Sequence, residues 1–240
     1  GEGVGYVGQK NGEPYEKGVT SLLFDPVKYE DGGVYRVSVG NICSSVARET
    51  ELKVWTKTTI ITPKEQDVEI CAGSDTVFRV EALGAVGLIY KWYHDGELLS
   101  VPMVRELELK EVTAANAGTY KCVVSGRGGD DSCFIYLNVL PLPRAELAGE
   151  VGICRNDLEQ EYRVVTTDRK LLYRWEITGG MIRGQMDAAG VQAGWSGEGE
   201  GRLMVSVLSS ETGCSRRMEG TVEYYPLPEV GLSLPDTVGY

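Results

Sequence analysis

Few residues in this 240-residue sequence could carry out catalysis. His94 is the only histidine, so every mechanism that needs histidine as a base depends on one residue. It precedes the turn signal Asp95-Gly96, and the tip of a hairpin is usually solvated. Paired carboxylates such as Asp130-Asp131 lie in glycine-rich segments, where acidic residues typically serve solubility. We therefore predict no enzymatic activity and no cofactor.

Metal binding is also disfavoured by residue spacing. The six cysteines include no Cys-x-x-Cys pair, and no histidine lies near them to complete a tetrahedral site. Calcium prefers loop carboxylates, which leaves sites at Asp130-Asp131 or near Asp31 open, but no twelve-residue loop with alternating ligands is present. We predict no metal site.

The composition excludes several classes of partner. Acidic residues number 35 against 24 basic ones, giving a net charge of -11, which would repel a nucleic-acid backbone. No apolar run approaches the roughly 18 residues that a membrane-spanning helix needs. The chain opens with Gly1-Glu2-Gly3, without a methionine or an apolar signal, so we expect a processed or excised fragment.

The motif that organises the chain is Asn-x-Gly-x-Tyr-x-Cys, from Asn116 to Cys122. It resembles the corner between strands E and F of an immunoglobulin sandwich, where the tyrosine hydroxyl bonds back to the corner's backbone. Tyr120 and Cys122 occupy those places, and Trp92 occupies that of the buried tryptophan of strand C. The pattern recurs around Tyr35, which indicates a tandem array.

A second resemblance covers the later part of the chain. Residues 171–180 contain Trp175, residues 190–195 end in Trp195, and a Gly-Cys pair ends at Cys214. This region resembles the polycystic kidney disease (PKD)-like domains of secreted and surface proteins of Bacteroidetes. The preceding region looks like the immunoglobulin-like repeats that alternate with them. The fold class implied is all-β, with tandem immunoglobulin-like and PKD-like antiparallel sandwiches in a linear array.

Proline-rich joints suggest the domain boundaries. We predict a partial immunoglobulin-like domain at 1–56, an immunoglobulin-like domain at 57–141, a PKD-like or immunoglobulin-like domain at 142–226, and a linker with the start of a following domain at 227–240. The first domain lacks strands A and B, and its strands C, E, F and G are expected within 6–15, 21–24, 35–39 and 51–55. Its Cys43 would then be free or paired with a residue upstream of Gly1.

The resemblance and the cysteine spacing together suggest two disulfides. Cys71 to Cys133 spans 133 − 71 = 62 residues and Cys154 to Cys214 spans 214 − 154 = 60. In such a sandwich the first strand starts at the same pole as the turn between strands F and G. We predict the pairs 71–133 and 154–214, with Cys122 as a small buried thiol. A Cys71–Cys122 pair and six unpaired thiols remain alternatives.

The four tryptophans divide into two groups. Trp92 and Trp175 occupy strand C positions and are expected in the cores. Trp55 and Trp195 are less constrained, so either is a candidate for an exposed aromatic contact. An exposed Trp55 or Trp195 in a groove would favour stacking on a sugar ring, whereas burial of all four tryptophans would favour a stalk or protein contacts.

The glycine-rich turn between strands F and G of the second domain is the candidate binding loop. It contains Arg127, Asp130 and Asp131, and loops on a rigid sandwich commonly carry recognition. The leading hypothesis is a non-catalytic adhesion or display segment of a large secreted or cell-surface bacterial protein, binding a protein or glycan there. A carbohydrate-recognition module and the accessory domains of an enzyme catalysing elsewhere are the alternatives.

Overall fold

The computed structural model describes residues 5–15 and 21–231. The regular secondary structure in this part of the chain is β-strand, apart from two short 3-10 turns at Tyr29–Asp31 and Ala114–Asn116. The all-β prediction is confirmed.

The first four strands form one antiparallel sheet. They are β1 (Gly5–Lys10), β2 (Glu13–Pro14), β3 (Gly33–Gly40) and β4 (Ser45–Leu52), in the order β2-β1-β3-β4. Asn11 and Gly12, with φ of 54° and 89°, form the tight turn between the first two. Tyr35 on β3 is buried, and the rings of Tyr15 and Phe24 pack edge-on against it.

Two strand predictions in this region were wrong. Residues 21–24 form no strand; Phe24 contributes its ring to the core while Leu23 is exposed. The last strand runs from Ser45 to Leu52 rather than over 51–55, because a four-residue turn lets Ser45 pair directly with Gly40.

The next nine strands build a sandwich. They are β5 (Thr59–Ile60), β6 (Glu65–Cys71), β7 (Thr76–Arg79), β8 (Ala82–Leu83), β9 (Ile89–His94), β10 (Glu97–Leu98), β11 (Glu106–Leu109), β12 (Gly118–Gly126) and β13 (Gly129–Leu140). One sheet has the order β10-β9-β12-β13-β6, and β11-β7 and β5-β8 are two-stranded sheets. Alternate residues of β7, β9 and β12 are buried, among them Phe78, Trp92 and Tyr120, as expected for strands with one face on a core.

The last eight strands form two four-stranded sheets. They are β14 (Ala145–Ala148), β15 (Gly152–Cys154), β16 (Glu159–Thr166), β17 (Leu171–Thr178), β18 (Gly180–Arg183), β19 (Gly190–Trp195), β20 (Gly201–Ser209) and β21 (Ser215–Tyr225). The sheet orders are β14-β16-β19-β18 and β15-β21-β20-β17. Their shared core contains Tyr162, Trp175, Trp195, Leu203 and Val205.

The chain packs as two compact units. Among the described residues, the first contains 5–15, 21–68, 75–110 and 116–138, and the second contains 69–74, 111–115 and 139–231. The second unit thus includes the last residues of β6 and of β13 together with β14 to β21. The boundaries expected after residues 56, 141 and 226 remain predictions, and residues 232–240 lie outside the described part of the chain.

Candidate interaction surface

Both tyrosine corners expected from the sequence are formed. The hydroxyl of Tyr120 donates to the carbonyl of Asn116 at 2.8 Å, and that of Tyr35 donates to the carbonyl of Asp31 at 2.6 Å. The two sheets of β14 to β21 use a different bond, from the Tyr162 hydroxyl to the Glu150 carbonyl at 2.7 Å. Sequence reasoning missed this one, because no Gly-x-Tyr-x-Cys pattern marks it. These hydroxyls are engaged in holding loops onto strands.

The disulfide predictions were wrong in both pairings. Cys71 is bonded to Cys214, while Cys133 and Cys154 are free thiols. The pair 154–214 is not formed because Cys214 is bonded to Cys71, and the error in the pair 71–133 lies in the position assigned to Cys133. The turn between β12 and β13 is Arg127-Gly128, so Cys133 lies inside β13 rather than in that turn.

Cys133 faces a second buried thiol. It pairs in register with Cys122, and both side chains are fully buried. Cys122 also lies opposite Trp92 on β9, and Val80 is buried as well. The hydrogen bond with Cys133, together with burial, raises the pKa of the Cys122 thiol. Cys122 is therefore protonated at neutral pH, which removes it as a nucleophile.

Three of the four tryptophans are core residues. Trp92 and Trp175 are 1% and 2% exposed, and each indole N–H donates to a backbone carbonyl, of Val104 and Ala188 respectively. Trp195, a candidate for exposed contact, is only 4% exposed. Its ring packs edge-on against Tyr162, with centroids 6.0 Å apart. Since β19 turns this residue into the core, it is not available for recognition.

His94 does not lie free at a hairpin tip. Its ring stacks on Tyr120, with centroids 4.4 Å apart and planes 11° apart, and its Nε2 lies 3.1 Å from the carbonyl of Ala117. The neighbouring Asp95 accepts a hydrogen bond from the backbone N–H of Thr119 at 2.8 Å. His94 and Asp95 therefore hold the corner around Tyr120, a structural role.

Trp55 is the exception among the tryptophans, being 42% exposed. The guanidinium carbon of Arg127 lies 4.6 Å from the centroid of its ring, which is cation–π geometry. The structure thus brings together two residues that the sequence suggested separately. Gly128 permits this arrangement, because a Cβ there would lie 2.0 Å from the carbonyl oxygen of Thr56.

A shallow depression adjoins the exposed indole. It has a volume of about 320 Å³ and is lined by Tyr29, Gly32, Glu51, Leu52, Lys53, Val54 and Trp55. Tyr29 is 74% exposed, and Lys53 forms an ion pair with Glu51 at 3.1 Å. We call Trp55, Tyr29, Lys53 and Arg127 the Trp55 patch. It offers two accessible aromatic rings and two cations on an otherwise acidic chain.

The other two residues of the predicted binding loop, Asp130 and Asp131, lie at the start of β13 rather than in the turn. Asp130 is exposed. Asp131 is partly buried, forms an ion pair with Lys64 and accepts the backbone N–H of Ile60 at 2.7 Å. The bond from Lys64 and that from Ile60 lower the pKa of the Asp131 carboxyl. Asp131 therefore fixes the segment from Ile60 to Lys64, which precedes β6. Among Arg127, Asp130 and Asp131, Arg127 alone belongs to the Trp55 patch.

Within 5–15 and 21–231, no three His, Cys, Asp or Glu side chains are grouped so as to hold a metal ion. None of the helices described there has the length and hydrophobicity to cross a membrane.

The second sandwich can be compared with a known family. Residues 59–139 match the immunoglobulin I-set domain. This range starts at β5 and ends within β13, so it covers the sandwich that carries the Tyr120 corner. The match confirms the immunoglobulin-like prediction for this part of the chain.

Relatives among characterised proteins are animal proteins. The chain is 32% identical over 135 residues to protein sidekick-2 of Mus musculus, covering 52% of this chain and 6% of that protein. It is 29% identical over 136 residues to a CXADR-like membrane protein of Rattus norvegicus, covering 51% of this chain and 36% of that protein. The chain thus corresponds to a small part of each relative's length.

A solved structure resembles most of the chain. The I-band fragment I67-I69 from titin superimposes with a TM-score of 0.53 at 16% identity, covering 92% of this chain and 88% of that one. At this level of identity the likeness shows the fold alone, a tandem array of immunoglobulin-like domains.

Proposed function

We propose that this chain is a non-catalytic interaction segment of a cell-surface or secreted protein, and that it binds a protein partner through the Trp55 patch. The observation that carries the proposal is the contrast among the tryptophans. Three are 1–4% exposed, whereas Trp55 is 42% exposed and lies beside a cation. Tryptophan, tyrosine and arginine are the residues enriched among those that dominate binding energy at interfaces.

An extracellular location fits the chemistry of the chain. A disulfide such as Cys71–Cys214 persists mainly in oxidising compartments. Sandwiches of this architecture are common in cell-surface domains, and one relative is named as a membrane protein. A Bacteroidetes source and the PKD-like nature of 142–226 remain predictions, since the relatives described above come from animals.

A protein partner is favoured over a sugar by the position of Arg127. A sugar ring stacks on an open aromatic face, but the guanidinium lies 4.6 Å from the centroid of the Trp55 ring. A paired guanidinium and indole present instead a flat surface with donors at its edge, which suits carboxylates and aromatic side chains of a protein. Carbohydrate recognition is therefore the second candidate.

The test is a binding screen of the oxidised 240-residue chain. Extracellular matrix proteins, cell-surface ectodomains and glycans would be immobilised on one array, with a reduced and alkylated sample as control. We expect specific binding to one or more proteins. Binding to glycans alone would replace the proposal by the carbohydrate module, and silence across the array would overturn both.

A further inference from the structure

Two cysteines of the β12–β13 hairpin face each other across adjacent strands. Cys122 on β12 is paired in register with Cys133 on β13, and both side chains are fully buried. Residues directly opposite each other in an antiparallel ladder point to the same face of the sheet. Both sulfur atoms therefore lie on the core side of this sheet, the side that also carries Trp92 of β9, which is paired with Cys122.

The two thiols are in contact. A side-chain hydrogen bond joins Cys122 to Cys133. This bond raises the pKa of Cys122 and lowers that of Cys133, so the Cys122 thiol is the donor and the Cys133 sulfur the acceptor. Burial opposes the lowering at Cys133, and the positive charge of Lys64 adds to it.

The spacing of the two strands suits a disulfide. Directly opposed Cα atoms in an antiparallel ladder lie about 4.5 or 5.5 Å apart, depending on the hydrogen bonding of the pair. Disulfides join cysteines whose Cα atoms are about 4.4 to 6.8 Å apart, and the bonded pair Cys71–Cys214 has a Cα–Cα distance of 5.6 Å. A bond between Cys122 and Cys133 therefore requires rotation of the side chains rather than separation of the strands.

We propose that Cys122 and Cys133 are oxidised to a disulfide within the chain, and that the dithiol described above is its reduced form. A disulfide such as Cys71–Cys214 persists mainly in oxidising compartments, where the contacting thiols of the hairpin meet the same oxidants during folding. The new bond would tie β12 to β13 behind their turn, which carries Arg127 of the Trp55 patch. Oxidation would thereby hold the two strands that position this guanidinium.

The bond forms by exchange with glutathione disulfide while the hairpin is open, because both side chains are buried once it closes. The Cys133 thiolate attacks one sulfur of glutathione disulfide, which leaves a mixed disulfide and releases one glutathione. In the open hairpin burial no longer suppresses the Cys122 thiolate, which attacks the Cys133 sulfur and displaces the second glutathione. Two protein thiols are oxidised, and one glutathione disulfide is reduced to two glutathione molecules that take up the two protons.

The test counts thiols in the full chain with its two exposed cysteines replaced, Cys43→Ser and Cys154→Ser. This double variant retains four of the six cysteines. The reduced and denatured variant would be refolded in a glutathione redox buffer, then denatured, alkylated without reduction and weighed by mass spectrometry. We expect no alkylated cysteine. After trypsin, peptide 122–127 should be linked to peptide 128–144, since these contain Cys122 and Cys133.

Two outcomes would overturn the proposal. Two alkylated cysteines in the refolded double variant would mean that the pair stays reduced. A peptide link from Cys122 or Cys133 to any other cysteine would mean that the opposed thiols are not partners. Circular dichroism before alkylation reports whether the variant has folded. Wild type refolded in parallel gives the same decision without the serine substitutions, because two alkylated cysteines are expected there and four would contradict the proposal.

Discussion

Adjacent residues at the start of β13 serve different purposes in this protein. Asp130 and Asp131 are indistinguishable by type, yet only Asp131 meets Lys64 and the N–H of Ile60. The sequence placed both in a turn and could not assign this role, because the partners of Asp131 lie about 70 residues earlier in the chain. The burial of Trp195 could not be predicted from the sequence either, because it depends on Gly180 and Gly201 leaving room for the ring.

Asp131→Asn should lower the free energy of unfolding by about 1–2 kcal/mol at pH 7, because a carboxylate that accepts charged and backbone donors is lost. The folded-state pKa lies below the ordinary value of 3.8, so the ionised form stabilises the fold above that pH. The stabilisation is lost as the pH falls through the lowered value. Urea denaturation should therefore show a smaller difference in unfolding free energy between Asp131→Asn and wild type at pH 3 than at pH 7.

The matched control is Asp130→Asn, one residue earlier and exposed. It removes the same charge and should change the unfolding free energy by less than about 0.5 kcal/mol. Equal effects of the two substitutions would show that net charge, rather than the Lys64 and Ile60 contacts, is responsible.

Tyr120→Phe tests the corner. It removes the hydroxyl that donates to Asn116 and leaves the buried ring in place, so we expect a loss of about 1 kcal/mol. Thermal denaturation would measure it, with Tyr136→Phe, on the exposed side of β13, as the control. Equal stability of the two variants would mean that the ring of Tyr120, and not its hydroxyl, stabilises the corner.

At the scale of elements, strands were predicted better than turns. Trp92 and Trp175, expected on strand C of their domains, lie on β9 and β17. The hairpin of β12 and β13 was misplaced, because its two-residue turn Arg127-Gly128 lies earlier than the glycine and aspartate content suggested. That shift moved Cys133 from a turn into a strand, and the predicted Cys71–Cys133 pair failed with it.

Gly128→Ala tests the contact between the β12–β13 hairpin and the segment around Trp55 and Thr56. A methyl group there would lie 2.0 Å from the Thr56 carbonyl oxygen, so backbone must move and the Arg127–Trp55 contact should be lost. We expect a loss of roughly 1–3 kcal/mol and a changed tryptophan emission spectrum. Gly231→Ala, where nothing lies within 4 Å, is the control; unchanged emission for Gly128→Ala would contradict the contact.

At the scale of the whole molecule, the disulfide joins residues 143 positions apart. Neither spacing nor repeat alignment could predict it, because both assume that a domain's cysteines pair within that domain. Under the chain-entropy model, closing so long a loop contributes up to about 5 kcal/mol.

Replacing Cys71 and Cys214 together by serine should therefore shift the unfolding transition of the second unit to lower temperature. Differential scanning calorimetry of the oxidised wild type and of the double variant would measure the shift. Reduced wild type should unfold like the variant. A transition unaffected by both changes would show that the bond contributes nothing to stability.

The central claim, that this array binds a partner through the Trp55 patch, is tested most directly by repeating the array screen with Trp55→Ala and Arg127→Ala beside the wild type. Truncating such an anchor typically costs 2 kcal/mol or more, so we expect affinity for the protein partner to fall about 30-fold. Leu83→Ala, at another exposed apolar side chain, should leave it unchanged. Full binding by both patch variants would contradict the claim.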